Sequence, residues 1–122
     1  MENVDLHCHS RASDGLLAPS NLVRRASEFG VTTLALTDHD DTSGLEEAAV
    51  AARESGVRLV PGVEISVTWE ETAVHVVGLG IDPKNAPLAN GLKWVRGGRA
   101  RRASQMADAL AAAGIPGSLE GA

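Results

Sequence analysis

Cysteine is nearly missing from this sequence. Its single thiol, Cys8, rules out an internal disulfide and suits a reducing cytoplasm. Basic residues are outnumbered, and the net charge of −5 argues against a general nucleic-acid coat, which would normally be positive. It leaves room for a phosphate substrate, because bound divalent cations reverse the local field. A charged-then-apolar leader and a long apolar run are both absent, so no signal peptide and no membrane span are expected. No internal repeat or low-complexity tract occurs. The 122 residues suffice for one modest domain of ordinary soluble composition, expected in the cytoplasm.

What is present is concentrated at the start. Asp5-Leu6-His7-Cys8-His9-Ser10 reads as a strand. Alternation places Asp5, His7 and His9 on one face and Leu6 and Cys8 on the other. Two imidazoles side by side form a chelating edge, and a ligating His commonly leans on a carboxylate through its second nitrogen.

The remaining chain alternates. Ser10 to Ala18 is a loop with a Ser13-Asp14-Gly15 turn. A helix follows from Pro19, with Leu22, Val23, Ala26 and Phe29 as its apolar stripe and Gly30 as its stop. Thr32 to Thr37 reads as a second strand, leading into Asp38-His39-Asp40-Asp41. Thr42-Ser43 is placed to cap a second helix with Glu46 or Glu47 as the capping-box partner, and that helix ends at Gly56. Val57 to Val67 reads as a third strand, broken or bent at Pro61-Gly62, and Ala73 to Leu79 as a fourth. A last helix is expected from about Leu88 to Ala113, interrupted or restarted at Gly97-Gly98. Such alternation implies an α/β fold with a parallel sheet, whose sites form at the carboxyl ends of the strands.

That is where the polar candidates fall. All four histidines lie at strand ends or inside strands: His7 and His9 on the first, His39 after the second, His75 within the fourth. Glu64 interrupts an apolar run, and a buried carboxylate is costly unless paired or metal-bound. With Asp14 these make six N and O ligands and no necessary thiolate. The set suits Mn²⁺, Zn²⁺ or Fe²⁺ better than a Cys-rich structural zinc site. Ligands beyond four imply more than one ion, and clustered ions can serve both the attacking and leaving oxygens of a phosphoryl transfer. A second constellation is basic. Arg96, Arg99 and Arg102 share a helix side, Arg101 points elsewhere, and Ala103, Met106, Ala107 and Leu110 form the apolar stripe. The arginines read either as a solvated face or as a phosphate-binding fork.

The motifs together carry a resemblance. Asp5 to Ser10, Ser13-Asp14-Gly15, Leu36-Thr37-Asp38-His39-Asp40, Pro61-Gly62-Val63-Glu64-Ile65-Ser66 and His75-Val76-Val77-Gly78-Leu79 resemble the successive motifs of the PHP (polymerase and histidinol phosphatase) superfamily. Order and spacing are most similar to the branch of 3′,5′-nucleoside bisphosphate phosphatases that also act as 5′–3′ exoribonucleases. The resemblance implies a distorted, TIM-like (β/α)7 barrel with a trinuclear metal site. His7 and His9 would hold one ion, Asp14 and His39 a second, and His75 a third, with Glu64 bridging the first and third. Asp40 would lie near the substrate, Asp5 would support the ligands, and Arg99 and Arg102 would bind substrate phosphate. The attacking group would be a metal-activated water. Mn²⁺ is the expected ion, two or three per site, with Zn²⁺, Fe²⁺ or Mg²⁺ compatible.

The resemblance also implies a later His and an Asp-x-His pair, yet no histidine follows His75. A complete barrel needs roughly 250 residues. Residues 1–122 are therefore expected to be the N-terminal part of a metal-dependent phosphoesterase domain, inactive alone. The expected partner is a nucleotide or short RNA, with no membrane and no stable protein partner. Two alternatives stay open. One is another PHP phosphatase, such as a histidinol-phosphate enzyme or a polymerase-associated exonuclease. The other is a non-catalytic metal-binding fragment.

Overall fold

The short apolar run Thr33-Leu34-Ala35-Leu36 is the axis of the molecule, and three of its four side chains are buried. The computed structural model describes residues 1–121. It orders the elements as β1 (Val4–Cys8), α1 (Pro19–Glu28), β2 (Thr33–Leu36), α2 (Leu45–Ser55), β3 (Arg58–Trp69), β4 (Thr72–Leu79) and α3 (Ala86–Ala112). The sheet order is β1-β2-β3-β4. β1 and β3 flank β2 in parallel, as the helical crossovers require. This α/β arrangement is a curled part of a TIM-like barrel.

β4 departs from the parallel rule because only two residues, Glu70 and Glu71, separate it from β3. So short a link permits only an antiparallel hairpin. Both glutamates have positive φ, 45° and 65°, the geometry of a tight hairpin turn usually occupied by Asn or Gly.

The expected break in the third strand does not occur, and β3 runs unbroken for 12 residues. Its Pro61-Gly62 marks a handover instead. Arg58–Pro61 pair with β2, and Gly62–Trp69 pair with β4. A strand tolerates a missing N–H best where its partner changes. Gly62 is required there, since a Cβ would sit 2.8 Å from Thr37 Cγ2.

The core lies between the sheet and the first two helices: Val23 of α1, Leu34 and Leu36 of β2, and Leu45, Ala48, Ala51 and Ala52 of α2. Phe29 is left out of it. Its ring is exposed, with the Arg25 guanidinium 5.3 Å from its centroid. The second helix is also capped differently. Gly44 is its N-cap with no side-chain bond, and Glu47 instead accepts the Ser20 amide at the start of α1, 2.8 Å away. Glu47 thereby satisfies one of the orphan donors of the neighbouring helix rather than its own.

α3 is one continuous helix through Gly97-Gly98, so neither an interruption nor a restart exists there. A Cβ at either glycine would meet only the Arg101 guanidinium, beyond 3.6 Å. The helix opens on Asn85, whose side chain accepts the Leu88 amide at 2.9 Å. Leu92 is its one buried residue among those described, and Met106 and Leu110 of the expected stripe are exposed.

Candidate metal centre

The site is built where the β2–β3 ladder gives way. Beyond Leu36 the pairing resumes as a single parallel bridge, His39 with Glu64. The Glu64 amide donates to the Asp38 carbonyl (3.0 Å), and the Asp40 amide donates to the Glu64 carbonyl (2.9 Å). This sets His39 and Glu64 side by side. On the other flank the Thr37 amide donates to the Cys8 carbonyl (2.9 Å), which holds the end of β1 against β2. The β1 pairing slips between Asp5 and Cys8. The rings of His7 and His9 nonetheless meet, their Nε2 atoms 3.1 Å apart. Asp5 supports this edge through the main chain, accepting the His7 amide (3.1 Å).

All six residues expected as ligands come together. Three interlocked groups can each hold a cation: His7, His9 and Glu64; His9, Asp14 and His39; His39, Glu64 and His75. Glu64 is the hub and only 5 % exposed. Its Oε1 lies 2.5 Å from His7 Nε2, and its Oε2 lies 2.8 Å from His39 Nδ1 and 2.9 Å from His75 Nδ1. Asp14 reaches His39 Nε2 at 3.2 Å and His9 Nδ1 at 3.6 Å. The His9 and His39 rings stack at 4.4 Å.

The electrostatics suit cations. Burial pushes the Glu64 carboxyl up, but the hydrogen bond with His75 and the neighbouring His39 and His7 outweigh it and hold it below its usual value. His9 Nδ1 and His39 Nδ1 are buried without a hydrogen-bond partner; the Glu64 oxygen near the latter is off the bonding direction. Buried polar atoms are rarely left unpaired, and a ring nitrogen facing carboxylates is a ready metal ligand. Cys8 takes no part. Its thiol donates to the Ala35 carbonyl at 3.1 Å, and burial, followed by Asp5 and Asp38, pushes its pKa up to about 12. The donors are thus nitrogen and oxygen only, a set that fits divalent ions.

Arginines from α3 reach the rim. Asp40 is fully buried at φ 52°, a conformation Asp tolerates better than most residues. Its carboxylate accepts the Ser66 amide and Arg99 Nη1, both at 2.8 Å, and its carbonyl accepts Arg96 Nη1 at 2.7 Å. Arg96 and Arg99 line a cavity of about 260 Å³ together with Asp14 and His39. Arg99 also lines a larger groove of about 800 Å³, with His75, Trp94 and Arg102. Arg102 belongs to the groove alone. Sequence reasoning gave Arg96 no separate role and missed the bonds of Asp38, Ser10 and Ser13. The signal for Asp38 was its place directly after a buried strand.

Residues 5–111 match the PHP domain, and the chain belongs to that family. It is 54% identical over all 122 residues to the 3′,5′-nucleoside bisphosphate phosphatase of Chromobacterium violaceum, covering 43% of that protein. To the 5′-3′ exoribonuclease of Haemophilus influenzae it is 48% identical, over 99% of this chain and 44% of the relative. The chain therefore spans less than half the length of these curated relatives. Among solved structures, an amidohydrolase from Chromobacterium violaceum with bound sulfate and no metal superposes with a TM-score of 0.91, at 54% identity over 98% of this chain and 42% of that one. A Bifidobacterium adolescentis protein described as a metal-dependent phosphoesterase gives a TM-score of 0.84, at 35% identity over 90% of this chain and 38% of that one.

Proposed function

We propose that the chain is the metal-binding N-terminal part of a phosphoesterase domain that removes phosphate from nucleoside 3′,5′-bisphosphates and from the 5′ ends of short RNA. One observation carries this reading: three cation-binding groups sharing His9, His39 and Glu64 stand beside arginines that open onto two cavities. The names of the relatives supply the substrate class. Two or three divalent ions, Mn²⁺ foremost, would be held by His7, His9, Asp14, His39, Glu64 and His75. When bound they supply an activated water and neutralise the charge developing on phosphoryl oxygens.

The chain's own residues do the rest. Glu64, its carboxyl held below its usual value by the neighbouring histidines, turns its two oxygens to different histidines. Asp40 fixes Arg99 at the rim, and Arg99 lines both cavities. A bisphosphate carries a second phosphate away from the reacting one. Arg99 and Arg102, one helical turn apart on the groove, are the pair to receive it. No helix among the described residues is long and apolar enough to cross a membrane.

The test is phosphate release, with Mn²⁺, by the chain extended to the length of its relatives. The expected order is adenosine 3′,5′-bisphosphate first and short 5′-phosphorylated RNA next, with histidinol phosphate and an aryl phosphate well behind. Preference for histidinol phosphate would move the protein to another branch of the family. Metal binding with no turnover on any of them would leave the non-catalytic reading.

A further inference from the structure

We propose that Asp38 is the positioning residue that sets the spacing of the ligand side chains, an inference that rests on the metal-binding reading above. Asp38 is 1 % exposed, and among the described residues it forms no ion pair with Lys or Arg. A buried carboxylate in that situation must be held by hydrogen bonds, and here all its donors come from one place. Oδ1 accepts the Ser10 amide and the Ser13 hydroxyl, both at 2.7 Å, and Oδ2 accepts the Ser10 hydroxyl at 2.6 Å. Ser10 directly follows His9, and Ser13 directly precedes Asp14. The main chain of Asp38 completes the set, because its carbonyl accepts the Glu64 amide at 3.0 Å and the next residue is His39.

One residue is thus bonded to the chain neighbours of His9 and Asp14, bonded to Glu64 itself, and joined covalently to His39. The loop it grips has little freedom to relax. At Gly15 a Cβ would lie 2.2 Å from the His9 carbonyl oxygen, and the Gly15 amide donates to the Ser10 carbonyl at 2.8 Å. Packing alone would be served by an aliphatic side chain at position 38. Three short bonds into the His9–Asp14 loop instead give the carboxylate an orienting task, acting on the ligands without touching a cation.

The experiment titrates the metal-free full chain with Mn²⁺, followed by the electron paramagnetic resonance of the free ion, alongside thermal unfolding without metal. Ser13→Ala deletes the bond beside Asp14, Ser13→Thr keeps a hydroxyl there, and Asp38→Asn changes one acceptor with little change in shape. We expect Ser13→Ala and Asp38→Asn to weaken at least one Mn²⁺ by about 10- to 100-fold, the scale on which residues supporting metal ligands act. Ser13→Thr should restore most of the affinity, and the metal-free unfolding midpoint of Ser13→Ala should stay close to that of the parent. Parental Mn²⁺ affinity and stoichiometry in both Ser13→Ala and Asp38→Asn would overturn the positioning role while leaving the metal reading intact. Equal losses for Ser13→Ala and Ser13→Thr, matched by a drop in unfolding temperature, would overturn it in favour of a fold-holding role. A parent chain that binds no Mn²⁺ would overturn both readings.

Discussion

The β2 half of the molecule and the α3 half are made of similar residues and end in opposite states. In β2, Leu34, Ala35 and Leu36 are covered by helices on one side and flanked by strands on both edges. In β4 and α3, Val74, Val76, Trp94, Met106 and Leu110 are just as apolar and stand exposed. Hydrophobic pattern therefore tells which face of an element seeks cover, and only the surrounding chain tells whether it finds it. The candidate metal ligands follow the same divide. Glu64 and His39 sit on the anchored side, while His75 and the arginines are presented from the open side.

The sharpest way to test this contrast is at its hinge. Glu64→Ala, in the chain extended to its relatives' length, should lower phosphate release by orders of magnitude with the fold kept, and His9→Ala should do the same. Near-parental turnover in both would sink the metal mechanism. Next in size is association. The exposed apolar faces and the open strand edges should make the 122-residue chain alone self-associating and inactive. Sedimentation showing a soluble monomer that also releases phosphate would break the comparison outright.

Packing gives a smaller, paired prediction. Leu36→Ala should cost about 2–5 kcal/mol of stability, as cavities in closed cores do. Leu110→Ala, on the open helix face, should stay within about 0.5 kcal/mol. Denaturant melts of both variants decide it, and equal losses would mean that the α3 face is covered in solution.

Arg102→Ala should weaken kcat/KM on the bisphosphate by about tenfold or more, the worth of one charge-assisted bond. It should leave an aryl phosphate nearly unaffected, and Arg101→Ala should change neither. Equal losses on both substrates would move Arg102 to folding or to the reaction centre. The smallest effect concerns pH. The Glu64 carboxyl is held below 4.5, so in metal-free protein its contribution to stability is complete above that pH and disappears as pH falls through the lowered value. Glu64→Gln should flatten that acid limb in a pH series of thermal melts.

Much of this was legible in the sequence because the chemistry is local. Five of the six candidate ligands lie on a strand or just beyond one, and strand placement brings those five together; Asp14 stands in the loop after β1, which reaches the group through bonds of its own. The parallel β1-β2-β3 order follows from the helices between the strands. What failed to show are choices made between distant segments. Pro61-Gly62 reads as a break until β3 is seen to change partner there. Gly97-Gly98 reads as a helix stop, although the alanines and arginines around it carry the helix through. Glu47 looks like a cap for its own helix and serves α1. The grip of Asp38 on Ser10 and Ser13 spans 28 and 25 positions of chain, and its place after a buried strand does not name those partners.

Glu64 gives its two oxygens to different histidines, Oε1 toward His7 and Oε2 toward His39 and His75. One rigid carboxylate serving two neighbouring sites cannot turn for one without turning for the other. In the proposed metal centre, occupancy of the two sites would then be thermodynamically linked: whatever the first cation does to the affinity of the second, the second does to the first. Loading of the proposed centre should therefore depart from independent binding.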